Sequence, residues 1–259
     1  MYYPKQIPYL LNKEFKKNIE YTEYNIKEIE NYCMCIWEMK SKRILDKTIP
    51  NHILPDACID IVIDFTNNTI CFAGFSEETK IFQLNKKIDY MGVRLKPSIF
   101  YTLFNREANK IMDNKIPFNE IEKEINLDKI LKLKKTNERI EYLKEYLRKK
   151  TKHKQEMPFV EIVEELYKNP KEQSVTAIAK KWGYNERHLY RIIKINYGVA
   201  PKVLLNILRL HLCLTLMLEE NIDLIDIANL CGFYDQSHFI REIKKYTGLS
   251  PLKIIKDNQ

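Results

Sequence analysis

Histidine and glycine are scarce in this chain of 259 residues, with five of the first and six of the second. Only His52 precedes residue 150. A barrel enzyme whose metal is held by two or three histidines and a carboxylate therefore has too few ligands in the first half. Long apolar runs are missing too. The best stretch, Leu208 to Leu218, is interrupted by Arg209 and His211, so no membrane-spanning helix and no membrane partner are expected. The opening "MYYPKQIPYLLNKEF" has no apolar segment of signal-peptide length, and a cytoplasmic location is expected. In such a reducing compartment Cys33, Cys35, Cys58, Cys71, Cys213 and Cys231 are expected as free thiols. Cys33 and Cys35 form C-x-C without a second close Cys/His pair, a poor zinc motif; a redox role for them stays open.

What is present is a basic, mixed composition. Hydrophobic residues at 45% and charged residues at 30% allow a buried core and exclude wholesale disorder. The net charge of +8 admits an anionic partner, and equally a lysine-rich protein with none.

The pattern changes along the chain. "YCMCIWEM" (Tyr32–Met39), "CIDIVIDF" (Cys58–Phe65), "TICFAGF" (Thr69–Phe75) and "DYMGVRL" (Asp89–Leu95) read as strands, punctuated by Pro50, Pro55, Asn67-Asn68 and Pro97. They predict a small antiparallel barrel or sandwich, with a hairpin at Asn67-Asn68. Ser98–Asn105 reads as a short helix capped by Ser98. Residues 119–150 lack Gly and Pro, and Ile140, Leu143 and Leu147 share one helical face. Arg148–Pro158 reads as a hydrophilic linker. Phe159, Val163 and Leu166 then mark a helix that Asn169-Pro170 stops. The expected fold is α+β, with a β-rich domain over 1–118, a helical connector over 119–157 and an all-helical domain over 158–259.

Within that last domain a unit occurs twice. "GYNERHLYRIIKINYGVAP" (Gly183–Pro201) is a looser version of "GFYDQSHFIREIKKYTGLSP" (Gly232–Pro251). Ile178-Ala179 corresponds to Ile227-Ala228, Arg191 to Arg241, and Gly198 to Gly248. In each copy a small residue lets two helices approach, a glycine turns the chain, Asn185 or Asp235 caps the next helix, and a glycine ends it. This is helix–turn–helix logic, placed at about 174–196 and about 223–246. In the second helix of each unit Leu189, Ile192 and Ile193, or Phe239, Ile243 and Tyr246, should face inward. Arg187, Tyr190, Arg191 and Lys194, or Ser237, Arg241, Lys244 and Lys245, should face outward, with Gln236 and His238 at the second helix's start. Arginine and glutamine can each make bidentate pairs with base edges in a major groove. Between the units Lys202–Leu218 reads as a single helix, a rod of roughly 26 Å, against about 34 Å between successive grooves.

"IANLCGFYDQSHFIREIKKYTGLSP" resembles the AraC/XylS family of bacterial transcription regulators, whose signature has the form I-A-x-x-x-G-F-x-x-x-S-x-F-x-R-x-F-K-x-x-x-G-x-x-P. Ile243 stands where that family usually has phenylalanine, and the first unit departs further. The resemblance implies double-stranded DNA as the partner. It implies base-facing roles for Arg187, Tyr190 and Arg191 and for Gln236, Ser237, His238 and Arg241, and phosphate contacts for Lys194, Lys244 and Lys245. "HILPDACIDIVIDF", "GF" and "MGVRLKPSIFYTLF" are similar to the small-barrel domain that precedes some such units, with Ala57 where glycine is frequent. That implies sensing of a small-molecule or protein effector, or dimerisation, and leaves RNA polymerase as a further partner. Neither catalytic residues nor a cofactor or metal are expected.

Two other readings stay on the table. One is a DNA-binding adaptor with no small-molecule effector. The other is an enzyme fused to a DNA-binding module, through a metal near Asp56, Asp60 and Asp64 or a nucleophilic cysteine at Cys35.

Overall fold

The computed structural model describes residues 2–5, 12–123, 127–152, 160–168, 170, 174–219 and 222–258. A short helix, α1 (Lys13–Asn18), leads into eight strands: β1 (Ile19–Tyr24), β2 (Cys33–Ser41), β3 (Leu45–Ile53), β4 (Ile59–Asp64), β5 (Thr69–Ala73), β6 (Lys80–Lys86), β7 (Asp89–Leu95) and, later, β8 (Lys115–Pro117). Six of them form one antiparallel sheet in the order β1-β2-β7-β4-β5-β8; β3 and β6 pair as a separate ribbon.

The alternation of side chains in a strand gives the large sheet two different faces. Ile36, Ile61, Ile63, Phe72, Met91, Val93 and Leu95 are fully buried on one of them. There Phe72 meets Phe100 and Phe104 edge-on and stacks on Phe118 at 4.8 Å. These rings belong to α2 (Ile99–Phe104) and α3 (Phe118–Ile121). The other face carries Trp37, Met39, Asp60, Val62, Tyr90 and Arg94 and looks across a cavity of about 490 Å³ toward β3 and β6. The expected antiparallel β-rich half is therefore present, with β1, β3, β6 and β8 added to the strands legible in the sequence.

Two expectations are corrected. Ser98 does not cap α2: it is buried, sits in left-handed backbone (φ 75) and makes no capping bond. The hydrophilic linker expected from Arg148 begins inside a helix. After α3 come α4 (Leu127–Lys132) and α5 (Thr136–Thr151). The start of the expected linker, Arg148 to Thr151, is the last turn of α5; its remainder beyond Lys152, and Phe159, lie outside the described residues. Ile140, Leu143 and Leu147 pack into the chain's own core. Arg139 anchors α5, with a bidentate pair to Asp89 (2.8 and 3.2 Å) and its guanidinium over the Phe65 ring at 3.3 Å.

The C-terminal half is helical: α6 (Val160–Lys168), α7 (Val175–Lys181), α8 (Glu186–Tyr197), α9 (Pro201–Glu219), α10 (Leu224–Leu230), α11 (Gln236–Thr247) and α12 (Pro251–Asn258). By length and composition α9 could cross a membrane. It is instead the core helix of this half, burying Leu204, Leu205, Ile207, Leu208, Leu210, Cys213, Leu214 and Met217. At about 28 Å it links the units before and after it.

The halves are tied at several points. His211 of α9 is wholly buried. Its Nε2 lies 2.7 Å from the Pro55 carbonyl and its Nδ1 accepts the Lys5 N–H at 3.0 Å. Tyr2 donates its hydroxyl to the Asp56 carbonyl and its N–H to Glu164. Thr79, in the β5–β6 loop, donates to the Tyr246 carbonyl of α11.

Candidate nucleic-acid interface

Each helix–turn–helix unit forms by local chemistry that its sequence specifies. In the first, Ser174 caps α7 by accepting the Ala177 N–H. Gly183 takes φ 69, and the Tyr184 N–H returns to the Ala179 carbonyl at 2.8 Å. Asn185 then caps α8 by accepting the His188 N–H at 2.8 Å. The second unit repeats the pattern: Gly232 at φ 76, the Phe233 N–H to the Ala228 carbonyl at 2.9 Å, and Asp235 capping α11 through the His238 N–H. Gly198 (φ 81) and Gly248 (φ 72) close α8 and α11 in the left-handed region that a side chain disfavours.

The faces divide as expected. Leu189, Ile192 and Ile193 are buried on α8, and Phe239, Ile243 and Tyr246 on α11. Ala179 and Ala228, both buried, let the paired helices approach. Arg187, Tyr190, Arg191 and Lys194 are exposed on α8; Gln236, Ser237, Arg241, Lys244 and Lys245 are exposed on α11, with His238 half-buried. The cationic side chains are organised. Arg191 Nη2 sits 3.3 Å from His188 Nδ1, Lys194 lies over the Tyr190 ring at 5.8 Å, and Lys245 over the Tyr246 ring at 5.2 Å.

Two neighbours of these faces were not singled out in the sequence. Glu107, which precedes a 3₁₀ turn at Ala108–Lys110, lines the same groove as Arg187, Arg191 and Lys194. Nothing local to its sequence signals this, because chain folding brings it there. Tyr234 stands almost fully exposed at the turn of the second unit, and an aromatic beside the Asp235 cap was the available signal.

Residues 178–257 match a family described as a helix-turn-helix domain, and residues 26–117 match a domain of unknown function, DUF6597. The HTH-type transcriptional activator RhaS of Escherichia coli is 35% identical over 78 residues, which is 30% of this chain. Residues 178–257 are an AraC-type helix-turn-helix domain. The match spans only 28% of RhaS. Among solved structures, apo ToxT of Vibrio cholerae aligns over 92% of this chain and 100% of its own, at 15% identity and TM-score 0.47. The C-terminal domain of the response regulator yesN from Fusobacterium nucleatum aligns over 38% of this chain and 92% of its own, at 24% identity and TM-score 0.34. The AraC-type domain thus occupies the segment in which the duplicated unit was read.

Proposed function

We propose that this protein is a sequence-specific DNA-binding transcription regulator. Residues 158–259 grip the duplex, 119–157 connect, and 1–118 regulate. The observation that carries the reading is the repeated presentation of a cationic, hydrogen-bonding helix face over a buried apolar one, within an AraC-type domain. Helices α8 and α11 enter successive major grooves. Arg187, Tyr190 and Arg191, and Gln236, Ser237, His238 and Arg241, meet base edges, where arginine reads guanine and glutamine reads adenine. Lys194, Lys244 and Lys245 bind phosphates and set register without reading sequence. The N-terminal half modulates this grip through an effector or a partner; the cavity between its sheets supports an effector. RNA polymerase and a second protomer are the further partners such a regulator engages, in the cytoplasm. The cysteine-enzyme alternative loses support, because burial pushes the Cys33 and Cys35 thiols up to about 12, away from a reactive thiolate.

The test is selection of bound duplexes from a random library by the full chain. The expected result is two short boxes whose centres lie about one helical turn apart, roughly 10 bp. Enrichment of one box alone, or of none, would overturn the two-groove reading.

A further inference from the structure

The cavity between the large sheet and the β3–β6 ribbon is a built site, and its chemistry is uneven. Its deep end holds Arg94, buried on β7, among three carboxylates. Glu23 takes Nη1 at 3.1 Å, while Asp60 and Asp56 lie 3.5 and 3.8 Å from Nε. Nε of Arg94 is buried without a hydrogen bond, but one guanidinium stands against three carboxyl groups, so the deep end carries more acid than base. Two acceptor atoms of residues lining this cavity are also buried without a hydrogen-bond partner: Oδ1 of Asp60, which faces Arg94 Nε as an ion pair at 3.5 Å, and Oδ1 of Asn51. Asn51 is 6% exposed and comes from β3, on the opposite wall. A buried acceptor left unbonded costs about 1–3 kcal/mol, so a donor brought to Oδ1 of Asn51 offsets that cost.

The rest of the lining is flat and apolar. Trp37 gives its indole N–H to the other Asp60 oxygen at 3.1 Å, and its ring stacks with Tyr21. A Cβ at Gly92 would lie 2.3 Å from that indole, so glycine is what allows Trp37 to lie across β7. Ile81 and Phe82, exposed on β6, carry the apolar wall to the mouth. The rim cations are already engaged: Lys80 pairs with Asp113 at 3.0 Å, and Lys115 lies over the Phe82 ring. Among the described residues no set of three His, Cys, Asp or Glu side chains is arranged to hold a metal.

We propose that this cavity binds a small organic cation, an amine on a flat apolar body, with the ammonium donating to Asp60 and Asn51 and the body lying along Trp37 and Phe82. The proposal rests on the N-terminal half being the regulatory half and names the class of its effector. The amine brings a donor to Asn51, its charge favours the ionised form of Asp60 that burial disfavours, and the ring wall gives the body its contact.

Calorimetric titration of the full chain without DNA tests it, using phenethylamine as the probe and 2-phenylethanol and 3-phenylpropionate as its neutral and anionic counterparts. The expected result is saturable one-to-one binding of the amine. The alcohol should bind about tenfold or more weaker, the loss of one charge-assisted pair, and the carboxylate not at all. Asp60→Asn should weaken the amine by a similar factor. Because that variant also disturbs Arg94, Asn51→Leu and Asn51→Asp are measured beside it, the first expected to weaken the amine and the second to tighten it. Absence of amine binding, equal binding of the alcohol, preference for the carboxylate, or indifference to both Asn51 variants each overturns the proposal. DNA affinity of the ligand-free chain is measured separately, so failure of the DNA-binding reading would show there and leave the calorimetric result standing.

Discussion

Phe75 and Gly198 meet where the two halves join. Phe75 follows β5 and lines the cavity, while Gly198 ends α8. A Cβ on Gly198 would fall 2.5 Å from Cζ of the Phe75 ring and 3.2 Å from the Ala108 carbonyl carbon. The cavity wall thus packs directly against the end of α8. Thr79, four residues on, bonds α11 at Tyr246. One loop therefore meets both α8 and α11 near their C-termini.

Gly198→Ala should accordingly cost more than Gly248→Ala. Both glycines have left-handed backbone, φ 81 and 72, where alanine costs about 1–2 kcal/mol. Only Gly198 also faces a crowded wall, which adds an overpacking cost of about 1–3 kcal/mol; a Cβ on Gly248 meets nothing within 4 Å. Denaturant midpoints of the two variants measure the difference, and equal losses would mean that the junction is looser than the contact implies.

On DNA, Arg241→Ala and Lys194→Ala should separate by kind. Arg241→Ala is expected to lose about 1–3 kcal/mol on the selected site and to relax preference at one base position. Lys194→Ala should weaken all duplexes alike and lower the slope of log affinity against log salt by about 0.9. Affinities on cognate and scrambled duplexes at several salt concentrations give both answers.

Why the sequence revealed the helical half and much less of the other half has a physical cause. Turn glycines, Asn185 and Asp235, and the stripes of Leu189 and Phe239 act within a few residues of themselves, so the local pattern carries their role. Strand β6, "KIFQLNK", has one buried residue, Leu84, and lacks the alternation that would announce it. Strand β3 carries Pro50 within it. Ser98 looked like a cap because of its position before an apolar run, but packing buried it. Ala57 stands at φ 56, left-handed backbone where glycine is the unstrained choice. Asp60, Arg94 and Asn51 lie on three strands, and Glu107 reaches the AraC-type groove only through the folded chain. Such juxtapositions belong to topology, which no short window of sequence contains.

Glu107 leads to a prediction about regulation. A carboxylate lining the groove of Arg187, Arg191 and Lys194 repels a phosphate backbone that approaches the same face. Removing its charge by Glu107→Gln should raise affinity for any duplex by a few-fold at low salt, with the gain shrinking as salt screens it. An unchanged affinity at low salt would place Glu107 outside the docking footprint.

Acid should loosen the junction of the halves through His211. Burial depresses this imidazole to about 4 from its ordinary 6.5, helped by Arg94 and Lys5, against the raising effect of the Pro55 carbonyl bond. The neutral ring is the form that fits, since Nδ1 must accept from Lys5 while Nε2 donates to Pro55. A histidine held below its unfolded value contributes stability that is present above about pH 6.5 and is lost as pH falls through about 4. The slope in that window is at most about 1.4 kcal/mol per pH unit. Asp60 works in the other direction. Burial raises it to about 7, against Arg94, so its contribution is full below its ordinary 3.8 and fades as pH climbs through 7. Comparing the wild type with His211→Gln isolates the first effect, because glutamine keeps hydrogen-bonding capacity without titrating. The stability gap between the two should narrow steadily from pH 7 to pH 4.5. A gap that stays constant would mean that the folded chain does not hold His211 below its unfolded value.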